Sequence, residues 1–145
     1  MSTFSVYSLA DTKAILSHPS VGQCALHQGG TGKIVISASG DLSSHTTTAN
    51  GFVVVNRLKS ENGVITIEVP QNSAADTFLR KWVRYLRTVQ DSGKFAKSTL
   101  TVTDQAGKFT IHCTGVTPQK VPDRTYDRSS TNVTYTLLAV SIAEK

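Results

Sequence analysis

The clearest pattern along this chain is a run of apolar residues at helical spacing between Asn72 and Gly93. Apolar side chains recur there every three or four residues, which places them on one face of an α-helix. Ser73 and Asp76 have the spacing of a capping box at the helix start, and Asp91-Ser92-Gly93 is expected to end it. The pattern predicts a helix over about residues 73–90, whose core side chains are Phe78, Leu79, Trp82, Val83 and Leu86.

Elsewhere the apolar positions alternate with polar ones or form short β-branched runs, and both patterns are typical of strands. Phe52–Leu58 and Val64–Val69 flank Asn62-Gly63, so we expect them to pair as a hairpin with a positive-φ turn. A second hairpin is expected around the turn at 104–107. The segments with strand character are Ala10–Leu16, Val21–His27, Lys33–Ser39, Phe52–Leu58, Val64–Val69, Ser98–Thr103, Lys108–Val116 and Asn132–Ile142.

The spacing of these segments predicts a mainly β fold, a small barrel or sandwich of about seven antiparallel strands flanked by the one amphipathic helix. The length of 145 residues fits a single domain, 1–145. Gly40–Gly51 interrupts the strand pattern with polar residues, so we expect an exposed arm or loop there. The open sheet edges of such a fold must be blocked or paired with a neighbour.

The charge of the chain is unevenly distributed. The net charge is +5 at pH 7, but residues 1–71 carry four basic and four acidic groups, so the excess lies in the second half. Part of this excess is on the predicted helix, whose solvent side carries Arg80, Lys81, Arg84 and Arg87. A basic helix face is compatible with a solvated surface, a subunit contact or nucleic-acid binding.

No arrangement of reactive residues indicates an enzyme. Gly29–Lys33 approaches a phosphate-binding loop, but His27 and Ile34 stand where that motif requires Gly and Ser or Thr. The polar arm contains Asp, Ser and His, but a catalytic triad requires these groups to converge on a rigid scaffold. Cys24 and Cys113 lack metal-ligand spacing and are expected to be reduced thiols. We therefore expect no catalytic residues, no cofactor and no metal site.

Most of the chain resembles the tail tube proteins of contractile-tailed bacteriophages. The resemblance rests on the helix LRKWVRYLRTVQ, the predicted hairpin STLTVTDQAGKFTIHCTGV and the segment KVPDRTYDRSSTNVTYTLLAVSI, in this order. The last segment contains a lysine, Pro122-Asp123, Tyr126, a short polar insert and an alternating strand, which is similar to the C-terminal signature of one such group. The N-terminal FSVYSLADTKAIL and the glycine-rich turn before KIVIS fit the same layout.

This resemblance implies a structural virion protein, the inner tube subunit of the tail, rather than an enzyme. Its copies would form rings, similar to hexamers, that stack into a hollow tube through which double-stranded DNA passes without specific binding. The implied partners are other copies of the chain, the tail sheath protein, and the baseplate and tail terminator proteins. The implied location is the phage tail, assembled in the host bacterial cytoplasm, with no membrane association because no segment reaches the ~20 apolar residues of a span.

Three groups of residues are expected to lie on different surfaces of such a tube. Contacts between subunits and rings are assigned to Asp41, Leu42, Ser43, His45, Thr47, Asn50, Lys59, Glu61 and Asn62. The basic helix residues Arg80, Lys81, Arg84 and Arg87 are expected to face outward, toward the sheath or a neighbour. The lumen is assigned to Ser37, Ser39, Thr66 and Glu68, because cations facing the lumen would hold DNA phosphates.

Two other interpretations stay open on the sequence alone. A tube protein of a related contractile secretion or injection system needs the same barrel, edges and arms, so the residues do not separate it from a phage tube. A nucleic-acid-binding module would use the basic helix and would show a mobility shift with duplex DNA that weakens steeply with salt.

Overall fold

The computed structural model describes residues 12–26, 32–105, 107–129 and 131–144. These residues form ten strands and two helices. In chain order the elements are β1 (Thr12–His18), β2 (Gly22–Ala25), β3 (Lys33–Ala38), β4 (Ser43–Thr47), β5 (Val53–Arg57), β6 (Gly63–Pro70), α1 (Ala74–Thr88), α2 (Ser92–Phe95), β7 (Ser98–Asp104), β8 (Phe109–Pro118), β9 (Asn132–Ala139) and β10 (Ser141–Glu144).

Eight of the strands form one sheet in the order β2-β1-β7-β8-β9-β6-β3, and β10 also pairs with β8. β4 and β5 form a separate two-stranded sheet. Every strand pairing in the described part of the chain is antiparallel. The mainly β fold with one principal helix is therefore confirmed, although the sequence predicted about seven strands rather than ten.

β8 joins the two halves of the large sheet because the strand is irregular at Gly115. Its first part pairs with β7, whereas Thr117 and Pro118 pair with β9. Gly115 has a φ of 64° and lies at a register shift in the β7 pairing, which is the arrangement of a β-bulge. A β-carbon at this position would collide with Val140, between β9 and β10. Both the backbone conformation and the available space therefore require glycine.

One core is shared by both halves of the sheet and by α1. The strand residues in it are Ala14, Leu16, Ile65, Ile67, Val69, Leu100, Cys113, Val116, Val133, Tyr135, Leu137 and Ala139. The helix contributes Ala75, Leu79, Trp82, Val83 and Leu86, all buried, while Phe78 is half-buried and packs against them. Burying the alternate residues of β6 and β9 leaves their other faces toward solvent.

The caps of α1 follow the predicted chemistry at the start but not at the end. The Ser73 hydroxyl oxygen accepts a hydrogen bond from the Asp76 N–H at 3.2 Å, and Asn72 before it has a φ of 67°. The helix ends at Thr88. The sequence Asp91-Ser92-Gly93 is not its stop: the Asp91 carboxylate caps the short helix α2 by accepting from the Gly93 N–H.

The predicted hairpin between Phe52–Leu58 and Val64–Val69 is wrong. β5 pairs with β4, while β6 lies between β3 and β9. Neither Asn62 nor Gly63 has a positive φ, and Gly63 lies so close to Ser37 and Ile142 that a β-carbon would collide with both. Gly63 is thus the closely packed start of a central strand rather than a turn residue.

The segment predicted as a polar arm or loop, Gly40–Gly51, contains strand β4, and residues 41–51 are exposed. Its Ser and Thr residues are compatible with an exposed ribbon, which has no buried face to impose an alternating pattern. The predicted last strand Asn132–Ile142 divides at Val140 into β9 and β10. The start of the strand predicted from Ala10 and most of the turn predicted at Gly29–Gly32 lie outside the described residues.

Candidate assembly interfaces

The β4–β5 ribbon stands apart from the large sheet. Leu58 N–H donates to the Leu42 carbonyl at 2.9 Å at its base, and Thr48 N–H donates to the Phe52 carbonyl at 2.8 Å at its tip. Gly51 closes the tip with a φ of 83°, a conformation that favours glycine. The backbone hydrogen bonds of the ribbon are therefore made within the ribbon itself.

One face of this ribbon combines residues that sequence reasoning had placed in different elements. The register sets His45 opposite Val55 and Thr47 opposite Val53, and side chains opposite each other share a face. Ser43 and Arg57, which lie opposite each other, continue the same face by alternation. We call this surface the valine face. Val53 and Val55 are 56% and 64% exposed, so apolar side chains face solvent.

Apolar exposure continues at both ends of the ribbon. Leu42 at the base is 74% exposed and Phe52 near the tip is 71% exposed. Exposed apolar side chains that are grouped in this way are typical of interaction surfaces. Asn50 lies in the tip turn and Asp41 at the base, so the candidate contact residues from Asp41 to Asn50 all belong to one projecting element.

The second group of candidate contact residues, Lys59, Glu61 and Asn62, has a different setting. The sequence placed them at a hairpin tip, but they lie in the connection between β5 and β6. The Glu61 carbonyl accepts from the Ile142 N–H at 2.7 Å, and the Asn62 carbonyl accepts from the Ser39 N–H at 3.1 Å. This connection is therefore held against the large sheet, while its side chains are exposed.

The candidate lumen residues lie on one solvent-facing side of β3 and β6. The register places Ser37 opposite Val64 and sets Thr66 and Glu68 two and four residues further along β6 on the same face. Ser39, just after β3, continues the alternation and is exposed. β9 extends this face with Asn132, Thr134 and Thr136. The strand order thus forms a surface with polar side chains in the majority, which also includes Val35 opposite Thr66 and Leu138 opposite Val64, 41% and 39% exposed.

The charges on this polar surface nearly compensate each other. Lys33 lies directly opposite Glu68 in the β3–β6 register, and opposite charges at such positions attract. The Glu68 carboxylate also accepts a hydrogen bond from the Asn132 amide at 2.7 Å. The surface is therefore polar and close to neutral rather than acidic.

The basic residues of α1 lie on the other side of the core from this surface. Lys81, Arg84 and Arg87 are exposed, whereas Arg80 is half-buried with its Nε 3.6 Å from the Asp76 carboxylate. The helix packs on β6 through the core-facing side of that strand. Since Thr66 and Glu68 project from the opposite side of β6, the sheet separates them from the helix arginines.

A buried network anchors the segment after β8 to the start of α1. Asp76 is 0% exposed, and its carboxylate oxygens accept from Arg124 Nη1 and Nη2 at 3.1 and 3.0 Å. The Tyr135 hydroxyl donates to the same carboxylate at 2.8 Å and accepts from Arg124 Nη2 at 2.8 Å. The Asn72 N–H donates at 2.9 Å. All these groups satisfy each other.

The ionisation of this network follows from its hydrogen bonds. Burial by itself raises the pKa of the Asp76 carboxyl, but the hydrogen bonds from Arg124, the Asn72 N–H and Tyr135 outweigh burial, so the pKa lies below its ordinary value. The bond to Asp76 raises the pKa of Arg124. Burial, together with the bond to Asp76, raises the pKa of the Tyr135 hydroxyl. Asp76 and Arg124 therefore form a charged pair at neutral pH.

The sequence interpretation missed Val53, Val55 and Arg124. The sequence predicts that the two valines pair with Val64–Val69 in a hairpin, because a β-branched run has no period that separates exposed from buried strands. Arg124 gave no local signal, since its partner Asp76 is 48 residues away. Across the described residues, no group of three or more His, Cys, Asp or Glu side chains is arranged to hold a metal ion.

The whole sequence, residues 1–145, matches the family model described as "Bacteriophage PhiTE tail tube protein". The chain belongs to this tail tube protein family. No curated protein sequence gives a significant match. None of the helices among the described residues of this tail tube protein has the length and apolar character needed to cross a membrane.

Solved structures show the same fold at low sequence identity. A chain from the sheath–tube complex of the extracellular contractile injection system PVC, in its extended state, has a TM-score of 0.63 and 12% identity, covering 99% of this chain and 93% of that one. A chain from the tube-terminating cap of the anti-feeding prophage has a TM-score of 0.63 and 10% identity, covering 100% and 94%. A chain from the PVC sheath/tube terminator in its extended state has a TM-score of 0.63 and 13% identity, and the match covers 99% of each chain. The tail tube protein shares its architecture with components of contractile particles.

Proposed function

We propose that this tail tube protein assembles into rings, hexameric as the resemblance to phage tube proteins implies, that stack into a hollow tube inside a contractile particle. The observation that carries the proposal is the β4–β5 ribbon with its exposed valine face. A two-stranded ribbon is marginally stable alone in water. A neighbouring copy that covers the valine face would remove this apolar surface from water and order the arm.

The polar surface of β3, β6 and β9 is assigned to the lumen, through which DNA passes. Each cationic side chain that contacts a phosphate adds salt-dependent affinity for DNA, so a lumen through which DNA moves should carry few cationic side chains. On this surface Lys33 is compensated by Glu68 across the β3–β6 register. The uncompensated arginines of α1 lie on the other side of the core, which supports an outward orientation of the helix.

The proposed partners are a sheath, a baseplate and a tail terminator. The support comes from the structures that share the fold, since their descriptions name a sheath–tube complex, a sheath/tube terminator and a baseplate. The protein would be assembled in the cytoplasm of a bacterial host and would reside in the tail. A second candidate is the tube of a contractile injection system without a genome, which the likeness to PVC and anti-feeding prophage chains favours. The presence of DNA in the isolated particles separates the two.

Negative-stain electron microscopy of the purified chain, free of nucleic acid and at high concentration, tests ring formation. We expect rings or stacked tubes. Val55→Asp, which puts a charge on the valine face, should abolish them. Ser44→Asp is the matched control, because Ser44 is exposed on the opposite face of the same ribbon.

Each outcome of this experiment has one meaning. Monomers of the unmodified chain at high concentration would overturn the tube assignment. Rings formed by Val55→Asp would show that the valine face is not the contact, and loss of rings in both variants would show that the contact is not specific to this face of the ribbon. A salt-sensitive shift of duplex DNA by the chain, without rings, would favour the nucleic-acid-binding alternative instead.

A further inference from the structure

A groove runs along α1, between that helix and the segment that follows β8. Two adjoining clefts form it, with volumes of about 270 and 160 Å³, and both are lined by Val83, Arg87 and Val121. We call their union the basic groove. Its apolar lining also includes Phe95, which is 40% exposed.

Arginines surround the first cleft of this groove. Arg80, Arg84 and Arg87 follow one another at intervals of four and three residues on α1, and Arg124 approaches from the segment after β8. Like charges at such intervals on a helix repel each other. The single charge of Asp76 is paired with Arg124 through two hydrogen bonds and lies 3.6 Å from Arg80 Nε, and no ion pair within the described ranges reaches Arg84 or Arg87.

The second wall of the groove is held at its start by the end of β8, where the Gln119 N–H donates to the Thr136 carbonyl at 2.9 Å, and further along by the buried network. Arg124 uses both terminal nitrogens on the Asp76 carboxylate and so fixes the backbone that carries Val121 and Pro122. The groove is therefore preformed, and Arg84 and Arg87 in the first cleft and Lys120 in the second are the charged lining groups for which no ion pair is seen among the described residues. A preformed site loses less conformational entropy on binding.

We propose that the basic groove binds an acidic segment of another protein, in which carboxylates flank an apolar side chain. The carboxylates would accept charged hydrogen bonds from Arg84 and Arg87, and the apolar side chain would lie over Val83 and Val121. An apolar lining favours this ligand over a nucleic-acid backbone, whose phosphates and hydroxylated or ether-linked sugars offer no apolar side chain to cover Val83 and Val121. This inference rests on the proposed function, in which α1 faces the outer side of the tube, and it specifies the chemistry of a partner that binds there.

A fluorescently labelled peptide of alternating Glu and Leu tests this proposal by anisotropy titration with the full-length chain. A second peptide carries Gln in place of Glu. We expect the Glu peptide to bind with an affinity that falls with salt, and the Gln peptide to bind at least about tenfold more weakly. Arg87→Gln should lower the affinity for the Glu peptide about tenfold. Lys81→Gln should leave it unchanged, since Lys81 is exposed on the same helix but does not line the groove.

Three results would overturn the proposal. They are equal binding of the Glu and Gln peptides, an equal loss in Arg87→Gln and Lys81→Gln, and displacement of the Glu peptide by duplex DNA whose own binding also depends on Arg87. Urea unfolding of both variants checks that the fold is retained. Electron micrographs of the same samples separate the two proposals, because rings can form without peptide binding and peptide can bind without rings.

Discussion

The carboxylate of Asp76, in the first turn of α1, accepts two parallel hydrogen bonds from the guanidinium of Arg124, 48 residues further along the chain. This bidentate pair ties the irregular segment after β8 to the helix. Tyr135 of β9 completes the contact from the sheet side. Backbone hydrogen bonds from the Gln119 N–H to the Thr136 carbonyl and from the Gln71 N–H to the Thr131 carbonyl hold the ends of this segment, and the buried side-chain network holds its middle.

Replacing Asp76 with Asn should destabilise the fold by about 3 kcal/mol, because breaking a buried pair leaves the Arg124 charge without its partner. This value lies at the lower end of the loss of about 3–5 kcal/mol that is usual for breaking a buried ion pair, because the Arg124 side chain is 19% exposed and water can partly solvate its charge. Urea denaturation followed by circular dichroism measures the change. Asp123→Asn is the control: Asp123 is exposed next to Arg124, and its replacement should change stability by less than about 0.5 kcal/mol. Equal losses in the two variants would contradict the role of the pair.

Stability should depend on pH through the same carboxyl. The pKa of Asp76 is lower in the folded chain than in the unfolded chain, so the unfolded chain binds the proton first as pH falls. The stabilisation is fully present above the unfolded value of about 3.9 and is lost as pH falls through the lower folded value. As the pH is lowered below about 4, the urea concentration at the unfolding midpoint should therefore fall, and it should fall more steeply for the unmodified chain than for Asp76→Asn. Parallel curves would refute this assignment.

Trp82→Ala should cost about 3–5 kcal/mol, since the indole is fully buried in the core beneath α1. Trp82→Phe should cost less: it keeps much of the packing but removes the N–H that donates to the Ser98 hydroxyl at 2.8 Å. Trp82 is the single tryptophan, so circular dichroism rather than fluorescence follows unfolding. Tyr126→Ala, at a side chain 76% exposed, serves as the neutral comparison.

Cys113 should not react with thiol reagents in the native protein. Burial raises the pKa of its thiol to about 11, so the reactive thiolate is scarce at neutral pH, and the side chain is 0% exposed. Alkylation with iodoacetamide followed by peptide mass spectrometry measures the modified fraction. Cys113 should be modified only in urea. Rapid labelling under native conditions would show that the strand pair β7–β8 opens more readily than its burial implies.

The helix and most strand positions could be predicted because their patterns are local. The spacing of Leu79, Trp82, Val83 and Leu86 follows from a helix with one buried face, and the alternation in Asn132–Ala139 follows from a strand with one buried face. The cap at Ser73 is also local, since it joins atoms three residues apart.

The predicted pairing of β5 with β6 was wrong, because β3 and β9 occupy the two edges of β6. β5 follows a polar segment and precedes β6, and adjacency in sequence favoured pairing it with β6. β6 instead pairs with β3 and β9, because its alternate residues complete the core, whereas the consecutive valines of β5 have no core to face.

The sequence by itself determined the mainly β class, the amphipathic helix and the family, since each depends on patterns within short segments. Only the tertiary structure decided which surfaces those segments form. It placed Val53 and Val55 on an exposed ribbon beside His45 and Thr47, and it brought Arg124 to Asp76. Such relationships depend on long-range register and on buried charge pairing, and neither leaves a periodic trace in the chain.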